Sequence, residues 1–412
     1  MGNSVRAHEI ETVLKLCAEK RQRNYEVITG LAILFEQDDT GAAEEYVHFK
    51  SLLKTFGVND IEQCVILAGT RSPGHVVARN LHMYISAGID RCSKGNSRRY
   101  LAIVHYAGHG FYDPADDNLY FTSGHKEPYH FSSDTLTNCI AKFYEGTWPP
   151  FDVVLSNITS LSATNQRGLA FLAEWQILTR GVSLRGSLKQ GETVELLAGV
   201  DDETTAFSRT TVGRRRTFTS KLADQVALAS ARMLSIDFIE LLQRTYDASV
   251  AKKPVHKFLA GNIPIRLPFA SGKKASLPQS PTIQLSMITG EYTVVIACHI
   301  VDDPSSTAVK RLVKSIEDIH SLIGVTVDQV YRCRSSGLVL RVPHSILLSL
   351  ETLPGIKVMF EYVESSESES PASPSSLPKH PFLPPASPSL RNQENMPPGG
   401  LSQLSPANKE EF

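Results

Sequence analysis

Six cysteines are scattered at 17, 64, 92, 139, 298 and 333, and none forms a CxxC pair. That spacing indicates neither a zinc site nor a disulfide framework, and it fits a reducing compartment. Net charge is just as sparse. With 42 Lys and Arg against 43 Asp and Glu, the balance is −1, so no bulk field drives the chain onto nucleic acid or anionic lipid. No run of 18 apolar residues exists, and a membrane-spanning helix is not expected. The N-terminus has no apolar secretory core. MGNSVR opens like a myristoylation signal, but Arg6 stands where that signal requires Ser or Thr. The expectation is a cytoplasmic chain without cofactor or metal, with neither nucleic acid nor membrane as partner, and with other proteins as the partners to look for.

The 412 residues, 42% hydrophobic and 21% charged, are enough for two domains with substantial cores. Ile10, Val13, Leu14 and Cys17 recur at helical spacing in an N-terminal segment, residues 1–24. Strands and helices then alternate. Apolar strands are expected at 27–35, 64–67, 101–106, 153–155, 194–198 and 263–267. Between them lie helices: one capped by Asp39 or Thr40 with Glu44 and Glu45 in its first turn, one over 74–87, one capped by Ser133, and two over 218–234 and 236–246. Such alternation implies right-handed crossovers and a mainly parallel six-stranded sheet covered on both faces. Sites in these sheets form at the carboxyl ends of strands.

A polar linker at 270–282 leads to a second unit at 283–363. Its order is strand, helix, strand, strand, helix, strand, the ferredoxin-like α+β pattern, which hosts many functions and names none. From 364 to 412 the composition changes: these 49 residues hold 10 of the 23 prolines, with ESSESES at the start. A segment so poor in apolar surface is expected to be a disordered tail of polyproline character. Its four Ser-Pro dipeptides suit phosphorylation, and plain low complexity explains them as well.

The strand at 101–106 breaks into Gly108-His109-Gly110. Glycines on both sides let the backbone turn and leave room for a substrate chain, and an imidazole there suits acid–base work near neutral pH. Taken alone, the motif fits a catalytic histidine and a turn that merely contains one equally well.

HYAGHG at 105–110 after an apolar strand resembles the histidine motif of the caspase and metacaspase family. The turn FEQDDTGAAEE resembles the entry to the first helix of fungal caspase-like domains. ELLAGVDDETTAF at 195–207, RRTFTSKLADQV and PVHKFLAGNIPIRL resemble the later strand, helix and closing strand, so the likeness spans residues 25–269. It implies a three-layer caspase-like domain in which His109 is the catalytic histidine. The family's nucleophile is a cysteine after the fourth strand, in a segment reading D-x-C-x-S-G. Here that segment is FDVVLSNITSLSATN. Aligned at the strand end, Ser156 replaces the acid, Ile158 the cysteine and Leu161 the glycine, and only Ser160 matches. There is no cysteine between 140 and 297. Ser156 also removes a carboxylate that would bind a basic side chain, and Asp201 and Asp202 match the other acidic part of that pocket.

Other chemistries have less support. No GxSxG elbow surrounds Ser156, Ser160 or Ser162. His105 and His109 are four apart but not on a helix, and no HExxH glutamate accompanies them. Cys139 lies on a helix with Leu136, Ile140 and Phe143, where packing is its ordinary role. The resemblance therefore implies a catalytically inactive pseudo-peptidase acting by binding, in cell-death or incompatibility signalling. The alternative is a working endopeptidase of cysteine or serine type.

Overall fold

The computed structural model describes residues 4–22, 25–38, 40–92, 99–113, 115, 118–124, 129–145, 151–156, 192–198, 217–247, 255–270, 292–303, 305–332 and 336–363. The chain divides into two units, Met1–Glu364 and Ser365–Phe412, and every described residue lies in the first. The expected tail at 364–412 therefore lies outside the described residues.

Five strands build a parallel sheet: β1 (Tyr25–Phe35), β2 (Ile61–Ile66), β3 (Arg99–Ala107), β7 (Phe151–Ser156) and β8 (Val194–Ala198). A sixth, β10 (Val255–Ala260), joins β8 antiparallel, and the order is β10-β8-β7-β3-β1-β2. β3 is central, and all nine of its residues are buried because helices cover both faces. Tyr100, Ala102, Val104 and Tyr106 face one layer, with α3 (Pro73–Cys92) and α4 (Asp134–Tyr144). Leu101, Ile103 and Ala107 face the other, with α2 (Ala42–Thr55), α5 (Phe218–Ser230) and α6 (Phe238–Asp247). The helix stripes read from the sequence do this packing. Phe49 and Leu53 of α2 and Phe56 at its C-cap are buried on one side; Val77, Leu81 and Tyr84 of α3 are buried on the other.

The sixth strand is not where the sequence suggested. Residues 263–267 leave the large sheet, and β11 (Arg266–Pro268) pairs instead with β9 (Ser235–Asp237) in a two-stranded sheet. Gly261 turns the chain after β10 with φ of +73°, and Pro264 has no N–H to give a ladder. The backbone groups on either side of Pro264 are taken by side chains: Ile265 N–H by the Glu195 carboxylate, the Ile263 carbonyl by Lys20 and Thr193.

Beyond β3 the chain forms a small antiparallel sheet that the sequence reading did not anticipate: β4 (His109–Asp113), β5 (Asn118–Thr122) and β6 (His130–Ser132). After residue 291 come β12 (Tyr292–Ile300), α7 (Thr307–Ile323), β13 (Thr326–Arg332), β14 (Ser336–Pro343), α8 (His344–Leu350) and β15 (Ile356–Val363). Their strands form one antiparallel sheet in the order β13-β14-β12-β15. Ser306 caps α7 by accepting from Val309 N–H at 3.3 Å, and Gly324 ends it in the left-handed region. The N-terminal helix α1 (Ala7–Gln22) shares this core: Ile10, Leu14 and Cys17 are buried with Ile296, Leu312 and Leu340.

Candidate functional site

Parallel pairing sets β3 beside β7, with His105 opposite Ser156 as their last pair. Both strands therefore end at one edge of the sheet, and His109 and Ser156 lie at that edge. Gly108 makes the break between β3 and β4, with φ of +146°. Any side chain there would collide: a Cβ would lie 2.5 Å from the Tyr106 hydroxyl and 2.9 Å from Asp38 Oδ2. The same Tyr106 hydroxyl is 2.7 Å from the His109 carbonyl and 3.1 Å from the Thr122 carbonyl, so it ties together the two paired strands β4 and β5. Its ring packs on Phe121 and Phe131. His109 is held by its backbone and is only 4% exposed. Gly110 follows inside β4, opposite Phe121.

Asp38 ends the turn after β1. Its Oδ1 accepts from the Thr40 N–H at 2.7 Å and from the Thr40 hydroxyl, and Gly41 in the left-handed region starts α2. Thr40 thus closes a turn on Asp38 instead of capping the helix, and Asp39 lies outside the described residues. Beside this turn, at the ends of β1 and β2, is a small hollow lined by Phe35, Gln37, Ile66, Leu67, Thr70 and Tyr129, among others. No motif announced it, because its walls come from three separate segments.

Ile158, Leu161, Asp201 and Asp202 lie outside the described residues, as does the rest of 157–191. Ser156 is the last described residue of its strand and is buried. The described cysteines 17, 64, 92, 139 and 298 are all buried. Burial pushes the thiols of Cys17, Cys64, Cys139 and Cys298 up, to about 11 for Cys64 and Cys139 and about 12 for Cys298. Cys139 donates to the Ala78 carbonyl at 3.6 Å across α3 and α4, so it serves packing. None of these four is a thiolate near neutral pH.

His105 is a different kind of group from His109. It is fully buried, stacked on Phe49 at 4.4 Å, and among the described residues neither ring nitrogen has a hydrogen-bond partner. Burial alone pulls its pKa down to about 3. Its register neighbours are Ala32 of β1 and Ser156 of β7, neither of them charged. Above pH 6.5 the group is neutral whether folded or unfolded. Below that only the unfolded chain takes up the proton, so stability falls by about 1.4 kcal/mol per pH unit until the folded pKa is reached. Between pH 7 and pH 5 the His105 share should be about 2 kcal/mol. Urea unfolding of wild type and His105→Phe at both pH values checks this: the variant should lose about 2 kcal/mol less than wild type. Equal losses would show that His105 is protonated inside the fold.

No family model matches the chain, and no curated relative does. Among solved structures, that of the Drosophila initiator caspase Dronc is similar to it with a TM-score of 0.30 and 10% identity, covering 55% of this chain and 78% of that one. The likeness is weak. What is secure is a mixed α/β chain with a mainly parallel six-stranded sheet whose carboxyl edge holds His109.

Proposed function

We propose that this chain is a caspase-like pseudo-peptidase that works by binding other proteins, with residues 283–363 as an appended ferredoxin-like unit. The observation that carries the reading is chemical. His109 lies at the carboxyl edge beside the strand that should deliver the nucleophile, and the sequence after that strand offers Ile158 and no cysteine before residue 298. Thiolate chemistry needs the sulfur within reach of the imidazole. The β12-to-β15 order, with two strands hydrogen-bonded to the first, supports the ferredoxin-like assignment. A role in cell-death or incompatibility signalling follows from the family resemblance alone.

The test is a peptidase assay on fluorogenic peptides ending in Arg, Lys or Asp. Wild type and Ile158→Cys should both be inactive. The single thiol still lacks the carboxylate replaced by Ser156 and the glycine replaced by Leu161, and losing one oxyanion donor costs about a hundred- to a thousandfold in rate. The triple change Ser156→Asp, Ile158→Cys, Leu161→Gly should give at most weak Arg or Lys cleavage, abolished by His109→Ala. Robust cleavage by the unmodified chain would establish the alternative: a thiol alkylator abolishes it for a cysteine peptidase and spares it for a serine one.

A further inference from the structure

The edge of the large sheet opposite His109 is closed by the end of α1. Asp152, second residue of β7, is fully buried. It accepts from Arg99 Nη2 at 2.8 Å, the Tyr25 hydroxyl at 2.5 Å, the Thr193 N–H at 2.7 Å and Lys20 Nζ at 3.3 Å. Lys20 also reaches the Thr193 hydroxyl at 2.5 Å and the Ile263 carbonyl at 3.0 Å. The next residue points elsewhere. Arg21 bonds Asp237 of β9 at 2.8 Å, the Ser345 hydroxyl of α8 at 2.7 Å and the Ile323 carbonyl at the end of α7 at 3.3 Å. Two consecutive side chains of one helical turn therefore hold the start of β7 and both helices of the four-stranded unit. The rest of the helix is fixed in that unit's core by Ile10, Leu14 and Cys17.

We propose that Lys20 and Arg21 form a latch through which the state of the carboxyl-terminal four-stranded unit sets the position of β7, and so of Ser156 at the candidate site. The linkage is mechanical. β7 is buried along its length and bonded to β3 and β8 on its two sides, so a displacement at its start is carried along it as along a rod, with those neighbours following. From Asp152 to Ser156 the rod spans roughly 13 Å at about 3.3 Å per residue. Tilting α1 with its own core while β7 stays in place would take the buried Lys20 ammonium away from Asp152, the Thr193 hydroxyl and the Ile263 carbonyl at once, which is costly. A partner that repacks the four-stranded unit is therefore felt at Ser156, and by linkage a ligand at the candidate site is felt in that unit.

Hydrogen exchange on the full chain tests this as a double-mutant cycle. Leu340→Ala opens a cavity in the four-stranded unit's core. It should speed exchange of the β7 amides, residues 151–156, about tenfold, while α4 changes less than twofold. In a Lys20→Met background the same substitution should add less than twofold at β7, because the latch is already open. Lys15→Met removes only the half-exposed ammonium from the buried Glu11, which keeps Arg311 and Ser315 as partners, and should preserve the full tenfold response. Should Leu340→Ala not fold, Ile346→Val in α8 replaces it, with about threefold expected at β7. An unchanged β7 on perturbing the unit, or effects that multiply independently in the Lys20→Met background, would overturn the proposal.

Discussion

Replacing Asp152 with alanine should destabilise the chain by about 3–5 kcal/mol, the usual cost of removing one partner from a buried ion pair. Arg99 and Lys20, with side chains only 6% and 5% exposed, would then face each other without the carboxylate between them. Lys20 can relieve part of this, since burial already pulls its pKa down and it can shed its proton. Arg99 cannot, because a guanidinium stays charged. Asp152→Asn keeps one acceptor oxygen, enough for the Thr193 N–H and Lys20 on Oδ1 or for the Tyr25 hydroxyl and Arg99 on Oδ2 but not for both pairs, and should cost less than alanine. Urea unfolding at pH 7 measures both. A loss below about 1 kcal/mol for Asp152→Ala would show that water enters the amino edge and solvates the two cations.

Nothing in the sequence singled out that cluster. Lys20 and Asp152 are 132 residues apart and Arg99 lies between them, so no spacing rule connects them. Each stands near the start or end of an element, where a charged residue is ordinary. The central strands were legible because a strand covered on both faces must be apolar throughout: VITGLAILF, LAIVHY and VVL are found in β1, β3 and β7. The element order of the four-stranded unit was legible for a related reason, since α7 carries a clear apolar stripe, with Val309, Leu312 and Ile316 buried. The sixth strand failed because IPIRL is as apolar as VHKFLA. What separates them is who takes the backbone groups, and those partners, Glu195, Lys20 and Thr193, are distant in sequence. At the candidate site Gly108 and His109 were readable from a strand that stops at glycine. The hairpin β4–β5 was not, because the tie that holds it, Tyr106 to two carbonyls, is tertiary.

That tie makes Gly108 a sensitive position on the carboxyl edge. Gly108→Ala should cost about 2–6 kcal/mol, and two terms contribute. A side chain at φ of +146° pays about 1–3 kcal/mol of backbone strain. Overpacking adds about 1–3 kcal/mol, because the new methyl would sit 2.5 Å from the Tyr106 hydroxyl and 2.9 Å from Asp38 Oδ2. Tyr106 cannot swing away without abandoning the carbonyls of His109 and Thr122 and its packing on Phe121. The methyl is therefore accommodated by moving the hairpin, and His109 moves with it. Gly124 provides the control: no atom of the described residues lies within 4 Å of a Cβ placed there, so Gly124→Ala should stay within about 0.5 kcal/mol of wild type. Urea unfolding gives the energies, and the His109 ring resonances report the displacement. If Gly108→Ala were as mild as Gly124→Ala, the strand end would be plastic, and the placement of His109 would owe nothing to the glycine.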